Sequence, residues 1–167
     1  FAVSNTLAAV SAMMVWLALA LTSPLIGRLA ARKKSHKLLM QLVLLIGTIG
    51  SLAIIYLPGL SFWAVALLSI TIGVGASGQI LSFDLVRMNN DDSEFALATG
   101  FNNIGVVFGG VILQPLFGYL VNANWQGSLS HAGNRLYSLH AYNSAMWLIP
   151  ACFAMGFLLS RYFVRYK

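Results

Sequence analysis

The sequence predicts an all-α, polytopic transmembrane helix bundle with five membrane spans. Of the 167 residues, 59% are hydrophobic and only 8% are charged, against about 25% charged residues in soluble domains. Mean hydropathy is +0.80, and long uncharged runs alternate with short charged segments, as in proteins that cross a bilayer several times. These observations disfavour a soluble enzyme, a nucleic-acid binder and a disordered chain. Short alternating strands are absent, which excludes a closed β-barrel.

The uncharged runs set the spans in order. The run between Lys37 and Asp84 has 46 residues. As one helix it would be about 69 Å long, against a hydrocarbon core of about 30 Å. Pro58-Gly59 near its middle therefore predicts a turn between two spans. The five predicted spans are 2–26, 38–57, 60–83, 96–121 and 141–163, with connections at 28–37, 84–95 and 122–140.

The basic residues predict the orientation of the chain. Segments 28–37 and 84–95 and the C-terminal tail share one side and hold nine of the ten basic residues, whereas segment 122–140 holds only Arg135. Lys and Arg favour the cytoplasmic side, so we expect a cytoplasmic C-terminus and an outer loop at 122–140. Anionic lipid headgroups, rather than nucleic acid, are the expected neighbours of these charges. The loop charges singled out are Arg28, Arg32, Lys33, Lys34, Asp84 and Arg87.

All four acidic residues, from Asp84 to Glu94, lie in one predicted cytoplasmic loop. It lies on the same side as the basic loop 28–37, so the two loops can pair across the membrane surface. A gate made from these charges and a simply solvated loop are both compatible with the sequence.

The third span is rich in small residues. Ser69, Gly73 and Ser77 recur every four positions, which places them on one face of a helix. Small residues let helix backbones approach closely in lipid, and glycine also permits a helix to bend. Tight packing and a moving, cavity-lining helix both remain open here.

The fourth span carries polar residues on one face. Asn103, Val107, Gly110 and Gln114 are spaced i, i+4, i+7 and i+11. Amides are costly against lipid and need partners in protein or in a water-filled cavity, and Pro115 predicts a kink. A substrate pathway and structural hydrogen bonding between helices are both open. Candidate pathway residues are Asn103, Gln114, Asn102, Gln79 and Ser77; candidate packing or gating residues are Gly73, Gly105, Gly109, Gly110 and Pro115.

Several chemical signatures are missing from the sequence. No Asp, Glu, Lys, Arg or His lies in the middle of a span, and no phosphate-binding loop or nucleophile arrangement is present. We therefore expect no enzymatic activity and no cofactor. His131 and His140 have no third ligand nearby, so no metal site is expected. A single cysteine, Cys152, permits no internal disulfide.

Three motifs together resemble the C-terminal part, helices eight to twelve, of a major facilitator superfamily transporter. The segment from Gly27 to Lys34 is similar to the family's loop signature, a Gly, three residues, an Asp and a basic cluster, although Ala31 replaces the Asp. The stretch 99–120 looks like the eleventh helix of bacterial members. The outer loop, with Trp125-Gln-Gly and then Gly133-Asn-Arg, is similar to permeases of intracellular gamma-proteobacteria.

The resemblance implies a secondary transporter of the bacterial inner membrane that works by alternating access. It would carry out ion-coupled uptake, symport or exchange of a small polar metabolite such as an amino acid or an organic acid. The resemblance also places the third and fourth spans at the cavity and the second and fifth against lipid. The chain starts at Phe1 inside an apolar run, so we expect an N-terminal half of the same protein upstream. The alternative is a non-transporting membrane subunit or scaffold that docks other helices.

Overall fold

The computed structural model describes residues 5–33, 35–130 and 132–163, excepting the side chains of residues 5–8, 33 and 163. The described chain is all-helical, as predicted, apart from a small hairpin in the outer loop. Its helices are α1 (Asn5–Lys33), α2 (His36–Tyr56), α3 (Phe62–Ala76), α4 (Gln79–Asn89), α5 (Phe95–Ala123), α6 (Leu139–Met146) and α7 (Leu148–Phe163).

Five stretches of helix are long and apolar enough to cross a membrane, which confirms the predicted fold class. Two of them combine consecutive helices, α3 with α4 and α6 with α7. The five stretches are Ala9–Arg32, His36–Tyr56, Phe62–Asn89, Phe95–Ala123 and Leu139–Tyr162. The chain is thus a multi-pass membrane protein in its architecture.

Helix α1 extends beyond the predicted end of the first span. It continues to Lys33, so Arg28 and Arg32 lie on its last two turns and not in a loop. Alanine, leucine, arginine and lysine are good helix formers, and basic side chains interact favourably with a helix C-terminus. The sequence predicts an end of the span before the first charge, whereas the helix continues past Arg28 to Lys33.

The predicted third span is interrupted at Ser77 and Gly78, between α3 and α4. The Gly78 N–H donates to the Gly75 carbonyl at 3.2 Å, and the Leu81 N–H donates to the Gly78 carbonyl at 3.0 Å. These bonds span three residues, so the backbone tightens locally from α-helix towards 3₁₀ geometry. The interruption keeps backbone groups bonded inside the membrane, where water is not available to them.

The turn between α2 and α3 forms where Pro58-Gly59 predicts it. Leu57 is extended (φ −75°, ψ 118°), the conformation favoured before proline. Gly59 has φ +67°, which is accessible to glycine at little cost. The Ser61 hydroxyl then accepts a hydrogen bond from the Ala64 N–H at 3.3 Å and caps α3.

Helices α1, α3, α2 and α7 pack side by side in that order, and glycines of α3 lie at close contacts with both of its neighbours. A Cβ atom added at Gly73 would lie 2.7 Å from the Cβ of Ala18 on α1. One added at Gly75 would lie 2.6 Å from the Cα of Gly47 on α2. These backbones approach so closely that only glycine fits, the arrangement that favours helix association in lipid.

Helix α5 joins the rest of the bundle mainly near its ends, through α4 on one side and α6 on the other. Its contact with α6 is a small apolar cluster. Val121 of α5 packs with Ala141 and Ala145 of α6, and Phe117, Leu120 and Tyr137 surround them.

The connection between α5 and α6, predicted as an outer loop, forms a small hairpin. The Leu136 N–H donates to the Ser128 carbonyl at 2.9 Å, and the Ser130 N–H donates to the Asn134 carbonyl at 2.8 Å. Arg135 lies 4.5 Å from the centre of the Trp125 ring and donates a hydrogen bond to Asn122 Oδ1 at the end of α5. The one basic residue of this loop therefore ties the hairpin to α5.

The segments with most of the charges meet at the opposite end of the bundle. His36 Nε2 at the start of α2 lies 3.8 Å from Asp84 Oδ2 on α4. The neighbouring Lys37 Nζ donates to the Arg161 carbonyl, near the end of α7, at 2.7 Å. The start of α2, the end of α4 and the end of α7 thus lie on one side, as an up-and-down path requires.

Replacing Gly75 by alanine tests the α2–α3 contact. The added methyl group must separate the two backbones or displace Phe153, whose ring also lies against this contact. We expect the free energy of unfolding in mixed micelles to fall by about 1–3 kcal/mol. Gly105→Ala is the matched control, because a Cβ there meets nothing within 4 Å. Equal stability of Gly75→Ala and wild type would contradict the packing account.

Candidate functional site

The polar stripe of α5 carries two amides that are open to their surroundings. Asn103 and Gln114 are eleven residues apart on one face, a separation of about 16 Å along the helix. Both residues are exposed, and no hydrogen bond joins either side chain to another described residue. Each amide carries two donor hydrogens and an acceptor oxygen, so this stripe presents unused hydrogen-bonding capacity at membrane depth.

A cleft of about 550 Å³ separates the C-terminal half of α5 from α7. Helix α5 contributes Leu113, Gln114 and Phe117 to it, and α7 contributes Leu148, Ile149, Cys152 and Phe153. Gln114 is the one residue with an amide among them, but the surface that faces the cleft is almost entirely apolar. The cleft itself therefore suits an apolar ligand or the apolar part of one, and the exposed Gln114 amide lies at its edge.

Pro115 adds a second polar group close to Gln114. Helix α5 stays continuous through Pro115, but a proline has no N–H to donate to the carbonyl four residues earlier. The Val111 carbonyl therefore lacks its helical donor. This acceptor lies within one turn of Gln114.

The glycines of α5 lie in open space. A Cβ added at Gly105, Gly109 or Gly110 would meet no atom within 4 Å outside the local helix. Gly73 of α3, by contrast, lies directly against α1. The sequence predicts a packing or gating role for all four of these glycines. Among them, only Gly73 packs between described helices.

Asn102, next to Asn103 in sequence, has a different role. Its Nδ2 donates to Ser82 Oγ on α4 at 3.0 Å, and the Ser82 hydroxyl donates to the Gln79 carbonyl at 2.7 Å. This chain of hydrogen bonds fastens α5 to α4. Asn102 therefore acts between helices, the structural alternative that the sequence left open.

Ser77 and Gln79 do not line the cleft. Ser77 is fully buried, and its hydroxyl donates to the Val74 carbonyl at 2.6 Å beside the α3–α4 interruption. The side chain of Gln79 is exposed on α4. Of the five candidate pathway residues, the structure brings Gln114 to the cleft and leaves Asn103 open on the same stripe.

Among the described residues, few of the predicted loop charges contact a charged partner. Asp84 pairs with His36 rather than with a lysine or arginine among the described ion pairs. Arg28, Arg32 and Arg87 are exposed. Lys34 and the side chain of Lys33 lie outside the described residues. The other three acids, Asp91, Asp92 and Glu94, are exposed as in a solvated loop.

Sequence reasoning missed the second wall of the cleft. Cys152 and Phe153 line it from α7, a helix that the resemblance places against lipid. Both lie in an apolar run without any polar marker, so no sequence signal distinguishes a cleft-lining face from a lipid-facing one. That face is defined only by the packing of α7 against α2 and by the position of α5 across the cleft.

A search of the described residues finds no cluster of three His, Cys, Asp or Glu side chains suitable for a metal ion. His140 lies at the start of α6, and His131 lies outside the described residues. Comparison of the chain with protein-family models, curated proteins and solved structures finds no match. The resemblance to the major facilitator superfamily rests on the sequence motifs and stays a prediction.

The Asn102–Ser82 hydrogen bond is testable by a double-mutant cycle. We expect Asn102→Ala and Ser82→Ala to be non-additive, with a coupling free energy of about 0.6 kcal/mol, the average for such bonds in membranes. Asn103→Ala is the matched control, because its amide has no described partner. Coupling of Ser82 to Asn103 as strong as to Asn102 would contradict the assignment.

Proposed function

We propose that this chain forms part of a secondary transporter that moves a small polar metabolite across the bacterial inner membrane. The observation that carries the proposal is the position of Gln114, whose exposed amide has no described partner and lies at the edge of an apolar cleft between α5 and α7. An amide left without a partner in lipid is costly. A substrate that supplies the missing hydrogen bonds compensates for that cost only while it is bound.

The chemistry of the cleft defines the substrate class. Its volume of about 550 Å³ lies within the usual range for small-molecule pockets. Gln114 both donates and accepts hydrogen bonds, which suits the carboxyl, amino or carbonyl groups of amino acids and organic acids. The apolar lining suits an aliphatic or aromatic remainder. The proposed substrate is therefore a small metabolite with one polar end and one apolar end.

The packing of α5 supports movement of this helix. Described contacts with other helices are concentrated near its ends, and its central glycines meet no neighbouring atom within 4 Å. A helix held in this way can change its distance from α7 without breaking a packed interface. We assign the ion-coupling groups to the N-terminal half of the protein, because no Asp, Glu, Lys, Arg or His lies mid-span in this sequence.

One observation favours the alternative, a scaffold that docks other helices. The exposed surface of α5 carries small residues and large apolar side chains such as Ile104, Val107 and Phe108. In lipid, such a face can pack against a further helix. The exposed amide beside an apolar cleft makes transport the stronger proposal, and substitution of the amide separates the two.

Gln114→Ala is the direct test, in membrane vesicles that contain the full-length protein and a panel of amino and organic acids. We expect uptake to fall by about tenfold or more, because a lost hydrogen bond to a charged group is worth about 1.5–3 kcal/mol. Membrane abundance should not change. Gln41→Ala is the control, since it removes the same side chain from α2 outside the cleft.

The outcomes distinguish the two functions. Normal uptake by Gln114→Ala would refute a substrate role for this amide. Reduced abundance or loss of a co-purifying helix protein, with no uptake by the wild type, would support the scaffold.

The orientation is testable with single cysteines. In a Cys152→Ser background, we expect Ser130→Cys in the hairpin to react with a membrane-impermeant maleimide in intact cells. Ser35→Cys, between α1 and α2, should react only after the cells are opened, because basic residues flank it. Labelling of both positions from outside would overturn the five-span path.

A further inference from the structure

A second cavity lies at the hairpin end of the bundle, remote from the charged end. It has a volume of about 450 Å³ and is bounded by Ile55 and Tyr56 of α2 on one side. The other side is one face of α6 and the residue that follows it. That face consists of His140, Asn143, Ser144 and Trp147, spaced i, i+3, i+4 and i+7. We call this cavity the interfacial groove.

The length of α2 fixes the depth of the interfacial groove. Helix α2 has 21 residues and is therefore about 31 Å long, which matches the hydrocarbon thickness of a bilayer. His36 at its start pairs with Asp84 at the charged end, so Tyr56 at its end reaches the opposite membrane boundary. Tyrosine and tryptophan are enriched at this boundary. The groove thus lies at the level of the lipid headgroups and opens to its surroundings.

The lining of the interfacial groove combines two kinds of recognition. The side chains of His140 and Asn143 make no hydrogen bond to another described residue, so both present free donors. Tyr56 and Trp147 meet edge to face, with ring centroids 5.7 Å apart, and both remain exposed. Amide and imidazole N–H groups bind phosphate oxygens, and aromatic faces attract ammonium groups.

We propose that the interfacial groove binds the headgroup of a zwitterionic phospholipid from the leaflet at this end of the bundle. Asn143 and His140 contact its phosphate, and the rings of Trp147 and Tyr56 contact its ammonium group. No lysine or arginine lines the groove, so the net charge of an anionic headgroup finds no permanently charged partner. The buried Ile55 beneath the rings offers an apolar surface to the start of the acyl chains.

The site rests on membrane depth and lining chemistry and is independent of transport. Occupation of the groove bridges the end of α2 and α6, two elements that share few contacts of their own. A bound lipid at this position therefore adds a link between the packed helices α1, α3, α2 and α7 and helix α6, which contacts α5.

The test is native mass spectrometry of the full-length protein during titration with lipid. Phosphatidylethanolamine and phosphatidylglycerol with identical acyl chains are compared, and glycerophosphoethanolamine supplies the headgroup without chains. We expect the ethanolamine lipid to bind at least about fivefold more tightly than the glycerol lipid, and Asn143→Leu and Trp147→Leu to remove that preference. Trp63→Leu is the control, because this exposed tryptophan at the start of α3 does not line the groove.

The preference of the wild-type protein needs no variant, so the test holds even where a variant does not fold. Equal affinity for the two lipids would overturn the proposal. A loss of preference in Trp63→Leu as large as in Trp147→Leu would overturn it too, since it would indicate a general aromatic belt. If glycerophosphoethanolamine bound as tightly as the lipid, the proposal of a membrane lipid would be wrong, and the groove would bind a water-soluble ligand.

Discussion

The close approach of α3 to α1 and α2 is the contact on which the rest of the bundle depends. Two apolar helices in lipid gain little from hydrophobicity, so their association requires close packing of backbones and side chains. Gly73 and Gly75 supply that packing on two sides of α3. Because α3 is fixed between α1 and α2, helix α2 presents another face to α7. On α2, Gly47 accommodates the ring of Phe153 from α7. The row α1, α3, α2 and α7 follows from these contacts.

Helix α5 has the same kind of sequence and the opposite environment. It is as rich in glycine as α3, yet its glycines at 105, 109 and 110 face open space, and the amides of Asn103 and Gln114 lack described partners. Periodicity identifies a small or polar face but does not identify what lies against it. In α3 the small face is filled by neighbouring backbones, whereas in α5 it borders the cleft and the surroundings. This difference in partners, rather than in composition, distinguishes a packing helix from a candidate transport helix.

Much of the fold follows from the sequence, and the remainder depends on contacts distant in the chain. Charge-free runs and Pro58-Gly59 predict five spans and the α2–α3 turn, because lipid excludes charge and proline cannot continue a helix. The interruption at Ser77 and the continuation of α1 to Lys33 were not predicted. Serine does not force a helix to break, and basic residues do not force a helix to end. At the candidate site, the stripe of Asn103 and Gln114 was predictable from spacing. The opposite role of the adjacent Asn102 was not, because it depends on Ser82 lying within hydrogen-bonding distance on α4.

The cleft and the packed row share one side chain, which links stability to function. Phe153 lines the cleft beside Gln114, and its ring also lies against the contact between Gly47 and Gly75. Helix α5 is attached in a different way from the helices of the packed row. A hydrogen bond joins it to α4, an apolar cluster joins it to α6, and Arg135 joins it to the hairpin. A single interhelical hydrogen bond in a membrane is worth about 0.6 kcal/mol, whereas disturbing a close-packed core costs about 1–3 kcal/mol. The packed row should therefore behave as one rigid body and α5 as the part that moves, with Phe153 at the boundary between them. A ligand in the cleft touches both parts at once, so its binding and the position of α5 are coupled through that ring.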